Sequence, residues 1–225
     1  MASLSPERSI KSGALDCMRE RLDPPGWRAG PDGSANLQLT SMKHSIPGDV
    51  RVIDLTGDGL ADRMYVADLG GRTWRFDIFN GKPVSGSEGE RLVEGGMLAS
   101  LGNAEQSAPK TQSNTIRFFY APDPALITRP GPAFINVAIG SGHRELPATD
   151  KTVVNWMFSV RDYFVLTPLM TSDYKDDCTD EDFPCQQIVT EDDLEDLTDT
   201  VGADATEAVP EGIEGSRGWK IEMEE

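Results

Sequence analysis

The sequence predicts an all-β protein. Three observations carry that reading: short β-branched or aromatic runs bounded by turn residues, 22 Gly and 15 Pro among 225 residues, and a faint repeat built around Trp. Gly and Pro at that frequency break long helices and mark many turns.

Residues 1–45 read as an irregular N-terminal segment. Pro24-Pro25-Gly26 and Gly30-Pro31-Asp32-Gly33 are turn signals, and residues 10–22 have room for one short helix. Strand signals begin at residue 50. Val50-Arg-Val-Ile53, Arg63-Met-Tyr-Val-Ala67, Thr73-Trp-Arg-Phe-Asp-Ile-Phe79, Ile116-Arg-Phe-Phe-Tyr120 and Phe134-Ile-Asn-Val-Ala-Ile139 are each bounded by Gly, Pro, Asn or Asp. Along Thr73 to Phe79, Trp74, Phe76 and Ile78 fall on one face, with Arg75 and Asp77 on the other.

The repeat joins these strands. Val66-Ala-Asp-Leu-Gly-Gly71 leads to Trp74-Arg-Phe-Asp-Ile78. Val137-Ala-Ile-Gly-Ser-Gly142 leads to Trp156-Met-Phe-Ser-Val160, and Gly218-Trp-Lys-Ile-Glu-Met223 repeats the second element alone. An apolar strand, a Gly-rich turn and a Trp strand, recurring, is the pattern of a β-propeller blade; chance recurrence within any antiparallel protein is the alternative. The expected layout is therefore a partial propeller of several blades. Blades with a cation loop occupy residues 46–170, an acidic insertion residues 171–215, and a truncated final blade strand residues 216–225.

Charge divides the chain the same way. The formal charge is −17, from 21 Lys and Arg against 38 Asp and Glu. Residues 1–170 carry a net −1 and residues 171–225 a net −16. Such a balance excludes a general nucleic-acid binder and a protein held on anionic lipid by basic patches. No run approaches the roughly 20 apolar residues of a membrane helix, so no membrane insertion is expected of this chain. The start lacks a charged n-region followed by an apolar h-region. The acidic stretch is expected as a solvated insertion, with Thr190 as an N-cap and Asp193 three residues on.

Cys178 and Cys185 bracket the loop CTDEDFPC and have the spacing to close a disulfide in an oxidising compartment; three free thiols, with Cys17, is the other reading. The only histidines, His44 and His143, stand too far apart in sequence for a zinc motif.

One segment carries chemistry: Asp54-Leu-Thr-Gly-Asp-Gly-Leu-Ala-Asp62. Asp54, Thr56, Asp58 and Asp62 place side-chain oxygens at loop positions 1, 3, 5 and 9. Gly59 stands at position 6, where a sharp turn demands positive φ, and Leu60 at position 7 offers its backbone carbonyl. A hard cation takes six to eight oxygens, and alternate side chains of a tight loop converge on one centre. Position 12 is Tyr65 instead of a bidentate Glu, and the flanks are strands, so the segment is a nine-residue DxTxDGxxD calcium loop rather than an EF-hand. The competing reading is an Asp- and Gly-rich hairpin whose carboxylates make Asx-turns.

The stretch from Met42 to Asp77, containing GDVRVIDLTGDGLADRMYVADLGGRTWRFD, resembles the C-terminal propeller domain of the PilY family of type IV pilus biogenesis and tip-associated proteins. Phe118-Phe-Tyr-Ala-Pro-Asp-Pro-Ala-Leu-Ile127 and Val137-Ala-Ile-Gly-Ser-Gly-His-Arg144 look like further family segments. The resemblance covers residues 42–165 well and 193–222 loosely. It implies a propeller and a calcium (Ca2+) site at Asp54, Asp58 and Asp62. It also implies a part in pilus extension, retraction (twitching motility) and surface adhesion, with pilins and host or abiotic surfaces as partners. The expected place is the periplasm or the cell surface at the pilus tip. The family usually has Asn or Asp where Thr56 stands; Thr ligates through its hydroxyl with less charge. Family members are longer and exported, so the chain is expected to be a fragment.

Rival functions fare worse. Quinoprotein-dehydrogenase propellers carry calcium and Trp motifs but use adjacent cysteines, absent here. Gly140-Ser-Gly142 lacks the nucleophile-elbow pattern, and no P-loop or dinucleotide fingerprint occurs, so no enzyme is expected. An integrin-like bacterial adhesion propeller uses similar loops, but one per blade, and this sequence holds one.

Overall fold

The computed structural model describes residues 37, 39–80, 92–102, 116–128, 131–142, 154–179, 182–200 and 216–223. The chain divides into two compact units, Met1–Lys43 and His44–Glu225. In the first, the Met42 N–H donates to the Leu39 carbonyl at 3.1 Å and closes a turn. The expected helix over residues 10–22, the turn signals up to residue 33, Cys17, His143 and the acidic residues 201–215 lie outside the described residues.

The second unit is all-β. Strands β1 (Arg51–Ile53), β2 (Arg63–Ala67), β3 (Arg72–Ile78) and β4 (Val93–Ser100) form one antiparallel meander. Strands β5 (Asp123–Ile127), β6 (Phe134–Gly140), β7 (Asn155–Asp162) and β12 (Gly218–Met223) form another. Four antiparallel strands are the build of a propeller blade. A short fifth strand joins each in parallel: β10 (Val189–Thr190) beside β4, and β11 (Glu195–Asp196) beside β12. A small parallel pair, β8 (Tyr174–Lys175) and β9 (Gln186–Gln187), forms a separate two-stranded sheet. Among the described residues the sheets stay open rather than closing into a ring.

Both repeat units are hairpins, one in each sheet. In the first, the buried Asp68 carboxylate accepts from the Gly70 N–H at 2.8 Å and from the Trp74 indole N–H at 2.9 Å. Gly71, at φ 75°, completes that turn. In the second, the Ser141 hydroxyl accepts from the Trp156 N–H at 2.7 Å. Besides the two-residue strands β8 to β11, two longer strands went unforeseen. Strand β4 holds Gly95 and Gly96 mid-run, which weakens its pattern. A Cβ on Gly95 would lie 2.3 Å from the Arg75 carbonyl oxygen and one on Gly96 2.4 Å from the Tyr174 ring, so glycine permits a close approach there. Strand β5 contains Pro124 and sits at a sheet edge, where proline is tolerated. Residues 116–120, expected as a strand, are irregular, although Ile116 and Phe118 are buried.

The acidic segment corrects the expectation of a solvated insertion, in its part up to residue 200. Val189 and Leu194 enter the core, where Leu98 of one sheet, Val137 and Phe158 of the other, and Phe118 of the irregular segment pack together. Burial of those two apolar side chains and two parallel pairings outweigh the local charge, because the carboxylates turn to nearby donors. Asp193 accepts from the Thr190 N–H and hydroxyl, each at 2.7 Å, as the capping pattern predicts. Cys178 and Cys185 form a disulfide with Cα atoms 6.0 Å apart. Lys175 of β8 pairs with Asp182 in the loop the disulfide closes, and this ammonium, with the Thr179 hydroxyl and N–H, holds the Asp182 carboxyl well below the usual carboxylate range.

Strand β3 alternates as predicted, but both of its faces are buried. The polar face looks onto the second sheet, where Arg63, Arg75, Asp77 and Asp162 form a closed network. Arg63 Nε reaches Asp77 at 2.7 Å; Arg75 reaches Asp162 at 2.7 Å and Asp77 at 2.8 Å. The Tyr65 hydroxyl donates to Asp162 at 2.6 Å, and burial followed by the Asp162 charge raises its pKa well above the ordinary value, keeping it a donor. Burial opposes the charge on Arg75, yet Asp162 and the neighbouring acids outweigh it, so the guanidinium stays charged. The remaining donors go to main chain: Arg63 to the Phe164 carbonyl at 2.9 Å and Arg75 to the Thr167 carbonyl at 2.8 Å.

Removing one member of a buried pair leaves an uncompensated charge, which costs about 3–5 kcal/mol. Asp162→Ala is expected to lower stability by about that amount in urea unfolding. Peptide mapping without reductant should recover residues 178 and 185 as one cross-linked fragment.

Candidate metal centre

The loop of residues 54–62 joins β1 to β2 and is fixed from both ends. The Asp62 N–H donates to the Ile53 carbonyl at 2.9 Å, continuing the hairpin ladder, and the Asp62 carbonyl accepts from the Ile78 N–H of β3 at 2.8 Å. Asn80, just past β3, donates its amide to the Ala61 carbonyl at 3.0 Å. Gly57 and Gly59 take positive φ, 74° and 85°, so the turn expected at Gly59 is present and a second precedes it.

Each aspartate meets backbone donors. Asp54 accepts from the Gly57 N–H at 2.6 Å through one oxygen and from the Gly59 N–H at 2.8 Å through the other. The Thr56 hydroxyl lies 3.4 Å from the same Asp54 carboxylate. Asp62 accepts from the Leu55 and Thr56 N–H groups at 2.7 and 2.8 Å. Asp58 accepts from the Leu60 N–H at 2.9 Å, an Asx-turn. The loop thus draws Asp54 and Thr56 together and sets Asp62 against the backbone of residues 55 and 56. Asp58 stays on its own local turn. Among the described residues, no three Asp, Glu, His or Cys side chains gather into a group that could hold a metal ion. The hydrogen bonds therefore follow the Asx-turn reading of the loop.

The donor chemistry still suits a hard cation. Every candidate group is an oxygen, and each of the three carboxylates keeps at least one oxygen with a lone pair beyond the bonds described, Oδ1 in the case of Asp62. The Gly59 N–H, then those of Gly57 and Asp58 and the Thr56 hydroxyl, hold the Asp54 carboxyl below the usual carboxylate range despite some desolvation. The loop accordingly favours negative charge at position 1.

Sequence reasoning missed what stands beside the loop. Arg63, the residue after Asp62, belongs to the inter-sheet network. The signal was the cross-strand pairing of Arg63 with Asp77 and of Tyr65 with Arg75, which needs the β2–β3 register.

A depressed folded-state pKa contributes stability that is present above the unfolded value, about 3.9 for Asp, and is lost as pH falls through the folded value. The Gly57 and Gly59 amide resonances should therefore titrate with a midpoint below about 3.9, and Asp54→Asn should abolish that titration.

No family model matches the chain. No curated protein matches it in sequence. Among solved structures, the chain is similar to the crystal structure of the Pseudomonas aeruginosa PilY1 C-terminal domain, at 18% identity and a TM-score of 0.48, over 85% of this chain and 43% of that one. The chain thus matches less than half the length of that domain.

Proposed function

We propose that this chain is a calcium-binding propeller module of a type IV pilus biogenesis or tip-associated protein, supporting pilus assembly, retraction control and surface adhesion. One observation carries the calcium part: a DxTxDGxxD loop closes a hairpin, with its first carboxylate drawn inward by two glycine N–H groups. Asp54, Thr56, Asp58 and Asp62 would hold the ion through side-chain oxygens, and Leu60 through its carbonyl. Calcium would offset two of the three carboxylate charges and fix the hairpin. The pilus part rests on the sequence resemblance between residues 42 and 77. The Cys178–Cys185 disulfide supports an exported setting, since disulfides persist in oxidising compartments. Pilins and a host or abiotic surface are the proposed partners.

Thermal unfolding with calcium and with chelator tests the ion. At a hundredfold excess over Kd a ligand adds about 2.7 kcal/mol, or roughly 5–11 °C for a domain of this size. That gain should vanish in Asp58→Ala, and a wild type indifferent to both calcium and chelator overturns the reading. In a piliated strain, the same allele should alter twitching while the protein stays folded.

A further inference from the structure

A cavity of about 170 Å³ opens between the loop, the end of β3 and residues 165–168. Leu55, Ile78, Phe79, Val165, Leu166 and Pro168 give it an apolar lining. Arg63 and Asp77 also face it, but they are bonded to each other at 2.7 Å and ask nothing of an occupant. Its size is that of one large side chain: an engineered apolar cavity of ~150 Å³ accepts benzene. Leu166 lines the cavity while 76% exposed, an uncovered apolar surface at the rim. The other wall is the loop, and among the described residues no Lys or Arg pairs with Asp54, Asp58 or Asp62.

Charge decides the occupant. Residues 1–170, which include the cavity lining, carry a net of only −1, so the local charge is that of the three loop carboxylates; it draws in a cationic segment, while the −17 of each whole chain opposes a second copy. We propose that this cavity is a socket for one Phe or Leu side chain of a basic peptide segment in a partner protein. The Lys or Arg residues flanking that side chain lie over the loop carboxylates. The socket needs no ion in the loop, so it stands or falls apart from the calcium reading. An ion there would only weaken the electrostatic part.

Fluorescence anisotropy with labelled five-residue peptides tests it, with the full chain held in chelator. Lys-Lys-Phe-Lys-Lys should bind at least about tenfold more tightly than Lys-Lys-Ala-Lys-Lys or Glu-Glu-Phe-Glu-Glu, the effect of burying one aromatic ring and of reversing its flanks. Leu166→Glu adds negative charge, which favours a merely electrostatic ligand, yet should weaken the Phe peptide about tenfold; Leu166→Ser replaces it if that variant misfolds. Equal binding of the Phe and Ala peptides overturns the proposal. So does equal binding of the two Phe peptides, indifference to the Leu166 change, or no binding at about 1 mM peptide. Repeating the titration in calcium keeps the two readings separate, because loss of ion binding leaves the Phe-over-Ala preference intact.

Discussion

The two sheets meet around a charge network that has no water to fall back on. Arg63 and Arg75 come from one sheet and Asp162 from the end of β7 in the other, with Asp77 bonded to both arginines. Two positive and two negative groups balance, and nearly every described donor ends on a carboxylate or a carbonyl. Ion pairs taken out of water are stabilising only when so completed, because desolvation otherwise exceeds the Coulomb gain. Orientation follows from that requirement. Sliding β2 by one residue would turn Arg63 and Tyr65 away from Asp77 and Asp162, so the network specifies register more than it adds bulk stability.

The same network organises the chain after β7. Carbonyls of Phe164 and Thr167 accept from the arginines, the Leu169 N–H donates to Asp77 at 2.9 Å, and Thr171 donates to the buried Glu94 at 2.7 Å. An irregular segment is thereby tied to both β3 and β4. It also supplies Val165, Leu166 and Pro168 to the cavity wall, while Arg63 sits next in sequence to the last carboxylate of the loop. Loop, socket and sheet junction thus share one short stretch of backbone.

Much of this was legible in the sequence, and the exceptions share a cause. The hairpins at Trp74 and Trp156, the positive-φ Gly59 and the Thr190–Asp193 cap depend on neighbours a few residues away, so local pattern suffices. Arg75 and Asp77 read only as one face of β3, without their buried setting, because Asp162, the inter-sheet partner of Arg75, lies more than eighty residues further on. Gly95 and Gly96 hid β4, since their role is to let Arg75 and Tyr174 come close, and no local rule states who approaches. Acidic density at residues 171–200 masked Val189 and Leu194, two apolar side chains that decide where the segment lies. For the loop, spacing named the residues, whereas the direction each carboxylate faces belongs to the folded hairpin.

That segment also sets the order of events during folding. Val189 pairs with Ala99 and Glu195 with Trp219, so one short stretch seals an edge of both sheets. The first closure spans ninety residues and is parallel, the slow kind of contact, since loop entropy is lost before pairing rewards it. A nascent chain therefore keeps the outer rim of β4 open until residue 190 has left the ribosome. Throughout that interval an unpaired rim is a template for pairing with another chain. The carboxylates around the sealing strands arrive only with those strands: residues 1–170 carry a net −1, so like charge begins to keep copies apart just as the rim is being covered.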